Sequence, residues 1–149
     1  MPGQILIFTR YPEAGRAKTR LIPALGAEGA ARLHRYLTEH AVGTARGAAA
    51  AGITVCCTGA PLRRFRSWLG TDLSYFSQPS GGLGDRLLGA FRAALRAHGG
   101  PALAVGTDVP GVSPAILRRA LERLGDHDVV LGPAADGGYY LIGMREAHP

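Results

Sequence analysis

Cysteine is nearly absent from this chain: Cys56 and Cys57 are the only two in 149 residues, and they are adjacent. Neighbours on a strand point to opposite faces, so the pair cannot staple a loop. They are expected to fill the core of a reduced, cytoplasmic protein. Apolar runs are short, and none reaches the roughly 18 residues of a membrane span. The start, Met1-Pro2-Gly3-Gln4, lacks the basic segment and apolar stretch of a secretory signal. Aromatic residues make up 7% and do not interleave with the basic ones as a base-stacking platform requires, so no nucleic-acid partner is expected. No block of five like charges occurs. GxSxG is missing, the five histidines are scattered without metal-ligand spacing, and neither cysteine has an evident activating neighbour. Nucleophilic hydrolase readings are therefore poor. Internal repeats and low-complexity linkers are also lacking.

What is present suits a folded domain. Hydrophobic residues make up 46% and charged residues 19%, which excludes intrinsic disorder. The length fits a single domain over residues 1–149 that buries about 70% of its unfolded surface. The net charge is +6. Sixteen of the 17 basic residues are arginine, and Lys18 is the only lysine. Such a balance suits a polyanionic partner such as a phosphate-bearing small molecule. Most arginines fall at wide spacing among alanine and leucine and read as solvated helix faces.

Strand and helix patterns alternate along the chain. Gln4–Arg10 reads as a buried parallel strand. A loop follows to about Ala24, then a helix over Ala27–Ala51, weakened or divided by Gly43 and Gly47. Ile53–Thr58 is the second strand, Pro61–Leu69 a short helix, and Leu73–Ser77 a weaker strand. The glycine loop Ser80–Asp85 opens a helix over Arg86–His98. Ala102–Gly106 is a fourth strand. Ser113-Pro114 pairs an N-cap with proline at the first helical position, predicting a helix over Pro114–Leu124. Asp128–Leu131 and Tyr139–Met144 are the last strands, the latter at or near a sheet edge. The order implies a three-layer α/β sandwich, a mostly parallel mixed sheet with helices on both faces. Ligands of such sheets bind beyond the carboxyl ends of the strands, which selects three loops.

The first runs from Arg10 to Leu21. Arg16, Lys18 and Arg20 alternate beside Gly15, and three cations with exposed backbone N–H groups suit a di- or triphosphate. Pro12 and Ala17 stand where a Walker A loop needs glycine. An ordinary basic surface loop is the alternative. The second is Gly106-Thr107-Asp108-Val109-Pro110. A carboxylate just past a buried strand is well placed to hold Mg²⁺ or Mn²⁺ against substrate phosphates; it could instead cap a turn. The third contains Asp136-Gly137-Gly138, either an ordinary tight turn or a second carboxylate for the same metal, with glycines that let backbone approach a ligand. Gly84 and Asp85 in the glycine loop could touch a nucleoside, or Asp85 could only cap the helix.

Phe8-Thr9-Arg10-Tyr11-Pro12, Gly15-Arg16-Ala17-Lys18-Thr19-Arg20-Leu21, Gly84-Asp85-Arg86, Gly106-Thr107-Asp108-Val109-Pro110 and Gly132-Pro133 through Asp136-Gly137-Gly138-Tyr139-Tyr140-Leu141-Ile142-Gly143 occur in that order over nearly the whole chain. Together they resemble the bacterial GT-A-type glycosyltransferases, more narrowly the subgroup labelled arsenosugar-biosynthesis-type glycosyltransferases, long carried as a domain of unknown function. The resemblance implies a nucleotide-diphospho-sugar transferase fold. It implies that Arg16, Lys18 and Arg20 face the nucleotide phosphates, that Asp108 is the metal-binding acid, and that Asp136-Gly137-Gly138 lines the same cleft. Nucleotidyltransferases share this fold, so fold leaves the reaction open. Members of the family continue with further strands and helices on the acceptor side, and those elements are expected to be missing here.

The expected function is metal-dependent transfer of a sugar from a nucleotide-diphosphate sugar. Asp108 and Lys18 would be the catalytic residues, and Asp108 with Asp136 would hold Mg²⁺ or Mn²⁺. Arg10, Gly15, Arg16, Lys18, Arg20, Gly84, Asp85, Thr107, Gly137 and Gly138 would bind the nucleotide. A nucleotidyltransferase or a non-catalytic nucleotide-binding module are the rival readings. Self-association through the C-terminal region is a further expectation.

Overall fold

A computed structural model describes residues 3–134 and 139–145. Six strands form one sheet: β1 (Gln4–Arg10), β2 (Gly52–Thr58), β3 (Ser74–Ser77), β4 (Ala102–Val105), β5 (Val129–Pro133) and β6 (Tyr139–Met144). Their order is β3-β2-β1-β4-β6-β5. β1 runs parallel to β2 and β4, and β2 parallel to β3, whereas β6 is antiparallel to β4 and β5. Four helices flank the sheet: α1 (Ile22–Gly47), α2 (Leu62–Leu69), α3 (Leu83–His98) and α4 (Pro114–Arg123). This is the mixed, mostly parallel α/β sandwich that the alternation of patterns predicts.

The central strands are covered on both faces, so their sequences read as continuous apolar runs. Ile5, Ile7, Leu103 and Val105 pack on one side with Val42 of α1, Phe65 of α2 and Leu117 of α4. Leu6, Ala102 and Ala104 turn to the other side, against Ala90, Phe91 and Ala94 of α3. The adjacent cysteines divide the same way: Cys57 joins the first cluster and Cys56 the second. Both are free thiols. Burial raises both pKa values, that of Cys57 to about 12, so neither is a thiolate near neutrality.

Several boundaries differ from the sequence reading. α1 begins at Ile22, but Gly26, at φ 76 and ψ 163, breaks its helical path. The regular helix therefore starts next to the expected Ala27. Gly43 does not divide it. Gly47 closes it and fits tightly, since a Cβ there would lie 2.9 Å from Pro114 Cγ of α4. α3 starts three residues earlier than expected, at Leu83, from an extended Gly82 that offers no side-chain cap. α4 starts as predicted: Ser113 Oγ accepts from the Ile116 amide at 3.2 Å. β6 lies one strand in from the edge and is paired on both sides, so the edge strand there is β5.

β5 carries the exposed apolar surface. Val129 is 43% exposed and Leu131 46%, and Tyr139, opposite Pro133 on β6, is 55% exposed. Val129 pairs with Met144 and Leu131 with Ile142, and Met144 and Ile142 belong to the α3 side of the sheet. On that side α3 lies over β1 and β4.

Candidate active site

Two of the three predicted loops meet at the carboxyl edge of the sheet. The first leaves β1 and the second leaves β4, strands that run parallel and side by side. Between them opens a cleft of about 470 Å³. Arg10, Arg16, Lys18, Thr19 and Arg20 line it from the first loop, and Thr107 and Asp108 from the second. Gln78, Leu83 and Arg86 close the side toward α3.

Lys18 joins the two loops. Its ammonium bonds Asp108 across 90 residues of sequence. The lysine side chain is only 11% exposed and the aspartate 62%, so the cation is held inward while the carboxylate faces the cleft and water. Lys18 has φ 51 and ψ 49, the left-handed conformation, although it is not glycine. An L-residue there costs about 1–2 kcal/mol relative to helical backbone. Such strain persists only where the surroundings hold it. The adjacent Ala17 supplies the hold: it is 1% exposed, and its amide donates to the Glu13 carbonyl at 3.0 Å. Gly15 makes the preceding turn at φ 85. Arg16 and Arg20 stay exposed. Arg16 is 3.5 Å from Glu13, a solvated pair that holds it weakly.

Beneath the loop lies a buried polar cluster that the sequence reading did not single out. Thr9 Oγ1 is 2.8 Å from Thr38 Oγ1 and 3.2 Å from His34 Nε2. His34 Nε2 is also 2.8 Å from the Arg10 carbonyl. His34 is 7% exposed. Burial pulls its pKa below the usual imidazole value, against the raising effect of its bond to Arg10. Its Nδ1 is buried and has no hydrogen-bond partner from the protein, and the same holds for Arg10 Nε. The available signal was a polar residue on the buried stripe of α1, in register with Ala30, Leu37 and Thr38.

The remaining expected residues fall as follows. Thr107 is 7% exposed and lines the cleft. Gly84 and Asp85 belong to the first turn of α3 rather than to a loop, and it is Leu83 and Arg86 that reach the cleft. Asp85 instead packs on Gly81, where a Cβ would lie 2.8 Å from its Oδ2. Arg86 Nε donates to the Gly81 carbonyl at 3.1 Å, which orients it. Asp136, Gly137 and Gly138 lie outside the described residues.

Among the described residues no three His, Cys, Asp or Glu side chains gather as a metal cage. Asp108 alone, outward-facing, fits a different kind of site. Mg²⁺ keeps several waters and takes one or two carboxylates together with substrate phosphates. Asp108 can supply the protein's share of such a site, and the basic groups opposite can receive the phosphates.

The fold is that of nucleotide-diphospho-sugar transferase-like α/β proteins. The family described as "Uncharacterized protein conserved in bacteria (DUF2064)" matches residues 41–149, and the chain belongs to that family. A protein of Desulfovibrio desulfuricans, provisionally named a nucleotide-diphospho-sugar transferase, superposes with a TM-score of 0.90 at 32% identity over 97% of this chain. This chain spans 64% of that protein's length. A nucleotidyl transferase of Methanothermobacter thermautotrophicus superposes at 0.61 with 21% identity, over 94% of this chain and 70% of its own. The 4-diphosphocytidyl-2C-methyl-D-erythritol synthase of Anaerococcus prevotii gives 0.61 with 11% identity, over 97% and 70% respectively. These last two share the fold. A comparison with curated proteins finds no match. Among the described residues no helix is long and apolar enough to cross a membrane.

Proposed function

We propose that this chain binds a nucleotide-diphosphate sugar in the cleft lined by Lys18 and Asp108 and takes part in transferring its sugar. One observation carries the reading: the only lysine, in a strained backbone conformation, is brought onto the strand-end carboxylate of β4. Neither group needs the other for the fold, since the carboxylate is mostly in water. Both suit a ligand with adjacent negative charges and a cation.

Lys18, Arg16 and Arg20 would stabilise the charge that develops on the leaving diphosphate. Asp108 is the residue that would hold Mg²⁺ or Mn²⁺, with Asp136 as a second candidate. A divalent ion bound there would offset the same charge. Lys18 Nζ is bonded to Asp108, and with a divalent cation on that carboxylate it would turn to a phosphate oxygen. The finer placing among arsenosugar-biosynthesis-type glycosyltransferases rests on the order of the motifs.

A second reading, nucleotidyl transfer with release of pyrophosphate, is favoured by the excess of positive charge. Among the described residues, five cationic side chains, Arg10, Arg16, Lys18, Arg20 and Arg86, border the cleft against one acid, Asp108, which also suits a triphosphate. A panel of nucleotide sugars and nucleoside triphosphates with Mn²⁺ separates the two. Hydrolysis or transfer from a UDP- or GDP-sugar supports the first, and pyrophosphate release from a triphosphate supports the second. Binding without turnover leaves a nucleotide-binding module.

A further inference from the structure

A second cavity opens off the cleft beside α3. It measures about 170 Å³ and is lined by Phe8 of β1, Leu83 and Leu87 of α3, residues 104–106 at the end of β4 and residues 139–142 of β6. Phe8, Leu83 and Gly106 line the cleft as well, so the two cavities meet. Leu83 and Leu87 are four residues apart on α3 and share one face. Leu83 is 70% exposed and Tyr139 55%. Among the described residues lining this groove none is charged, and the tyrosine hydroxyls are the only polar side-chain groups.

The walls decide what can enter. Apolar surface left open beside a polar site suits a ligand rather than water. A cavity of roughly 150 Å³ walled by apolar side chains accepts benzene, so this groove fits a single six-membered ring. A hexose carries hydroxyls on most of its carbons and would lose bonds to water that these walls do not replace. A nucleobase has donors and acceptors around its edge, and the cleft can meet those on its opposite side, where Thr58 and Gln78 follow β2 and β3. The remaining reactant in a transfer is the acceptor. Gly106, common to both cavities, stands two residues before Asp108, so the groove opens beside the residue proposed to hold the metal. We propose that the groove holds the ring-sized apolar part of the acceptor, which is therefore an aromatic or alicyclic alcohol rather than a free sugar. This rests on the sugar-transfer reading above. The acceptor oxygen would form the new bond to the anomeric carbon as the bond from that carbon to the diphosphate oxygen breaks. The diphosphate leaves with the electron pair, and the hydroxyl proton passes to water.

The test is an NMR titration of benzyl alcohol, cyclohexylmethanol, glucose and glycerol on the chain saturated with UDP and Mg²⁺, with UDP affinity followed by calorimetry. Both ring alcohols should bind together with UDP, and glucose and glycerol much more weakly. Leu87→Gln and Tyr139→Gln change residues that line the groove and not the cleft. Each should weaken the ring alcohols about fourfold or more, the worth of one buried CH₂, and leave UDP within twofold. Tyr139 is exposed, so its replacement spares the fold should Leu87→Gln not. Ile116→Gln, at an exposed apolar position on α4, is the control and should change neither ligand. Displacement of UDP by the ring alcohols, or a loss of UDP affinity in Tyr139→Gln as large as that of the alcohols, gives the groove to the nucleobase and overturns the proposal. Equal binding of glucose, equal losses in Ile116→Gln, or no alcohol binding beside bound UDP also overturns it and leaves the nucleotide reading standing. If the wild type binds no nucleotide, that reading fails and this proposal falls with it.

Discussion

Replacing Lys18 separates what the first loop contributes to folding from what it contributes to binding. The ion pair with Asp108 is half solvated, since the carboxylate is 62% exposed. Such a pair is worth about 1 kcal/mol or less. The backbone at φ 51 carries about 1–2 kcal/mol of left-handed strain in any L-residue, and glycine relieves it. Lys18→Ala loses the pair and keeps the strain, so it should be about 1 kcal/mol less stable, or about 2–4 °C in Tm for a domain of this size. Lys18→Gly loses the pair and sheds the strain, and should lie within about 1 kcal/mol of the wild type and above the alanine variant. Both variants lose the same charge-assisted bond to phosphate, about 1.5–3 kcal/mol or roughly 10- to 150-fold in Kd. Denaturant melts give the stabilities, and calorimetry with UDP or pyrophosphate gives the affinities. Arg63→Ala, on the exposed side of α2, is the control and should change neither. The reasoning is refuted if both Lys18 variants bind as tightly as the wild type, if Arg63→Ala weakens binding equally, or if Lys18→Gly is the less stable of the two.

Four other outcomes are expected. Asp108→Asn should abolish the dependence of nucleotide binding on divalent cation, with little loss of stability because the carboxylate is exposed; an unchanged metal response returns Asp108 to an ordinary turn. The pKa of His34 is lowered in the fold, so the unfolded chain takes up that proton first as pH falls; the stability His34 contributes is complete above about pH 6.5 and declines below it, by at most about 1.4 kcal/mol per pH unit. Melts between pH 5 and pH 8 should show this slope in the wild type and a reduced one in His34→Gln. Gly47→Ala drives a Cβ to within 2.9 Å of Pro114 Cγ and should lower stability by about 1 kcal/mol, crowding outweighing the helical gain of alanine. The exposed Val129 and Leu131 lie on the edge strand β5 and the exposed Tyr139 on its neighbour β6, an association hazard; sedimentation should show self-association that Leu131→Lys removes, and a wild-type monomer at every concentration contradicts it.

The parts of the fold legible in the sequence were those set by local chemistry. β1 and β6 have the bounds their apolar runs suggest, and Ser113-Pro114 marks the start of α4 because the N-cap and the proline act within one turn. The adjacent cysteines face opposite cores because a strand alternates. Where glycines supply the local signal the reading slipped. Gly81, Gly82 and Gly84 hide the true start of α3, which packing of the helix rather than a capping side chain decides. The place of β6 between β4 and β5 depends on non-local pairing and left no trace in its own composition. At the site, the two loops could be read from their positions after strands, but not that Lys18 would reach Asp108, a contact between distant segments. The surroundings of His34 depend on a carbonyl of β1, from a segment distant in sequence, which its own stretch of α1 does not show.

The most direct measurement is a thermal melt of the wild-type chain and Asp108→Asn with nucleoside diphosphates, triphosphates and nucleotide sugars, with and without Mn²⁺. A ligand at 100 times its Kd stabilises the folded state by about 2.7 kcal/mol, roughly 5–11 °C for a domain of this size. At least one nucleotide should give that shift, only when Mn²⁺ is present, and the shift should vanish in Asp108→Asn. No shift with any nucleotide in any metal, or an equal shift in Asp108→Asn, would contradict the assignment of the cleft lined by Lys18 and Asp108.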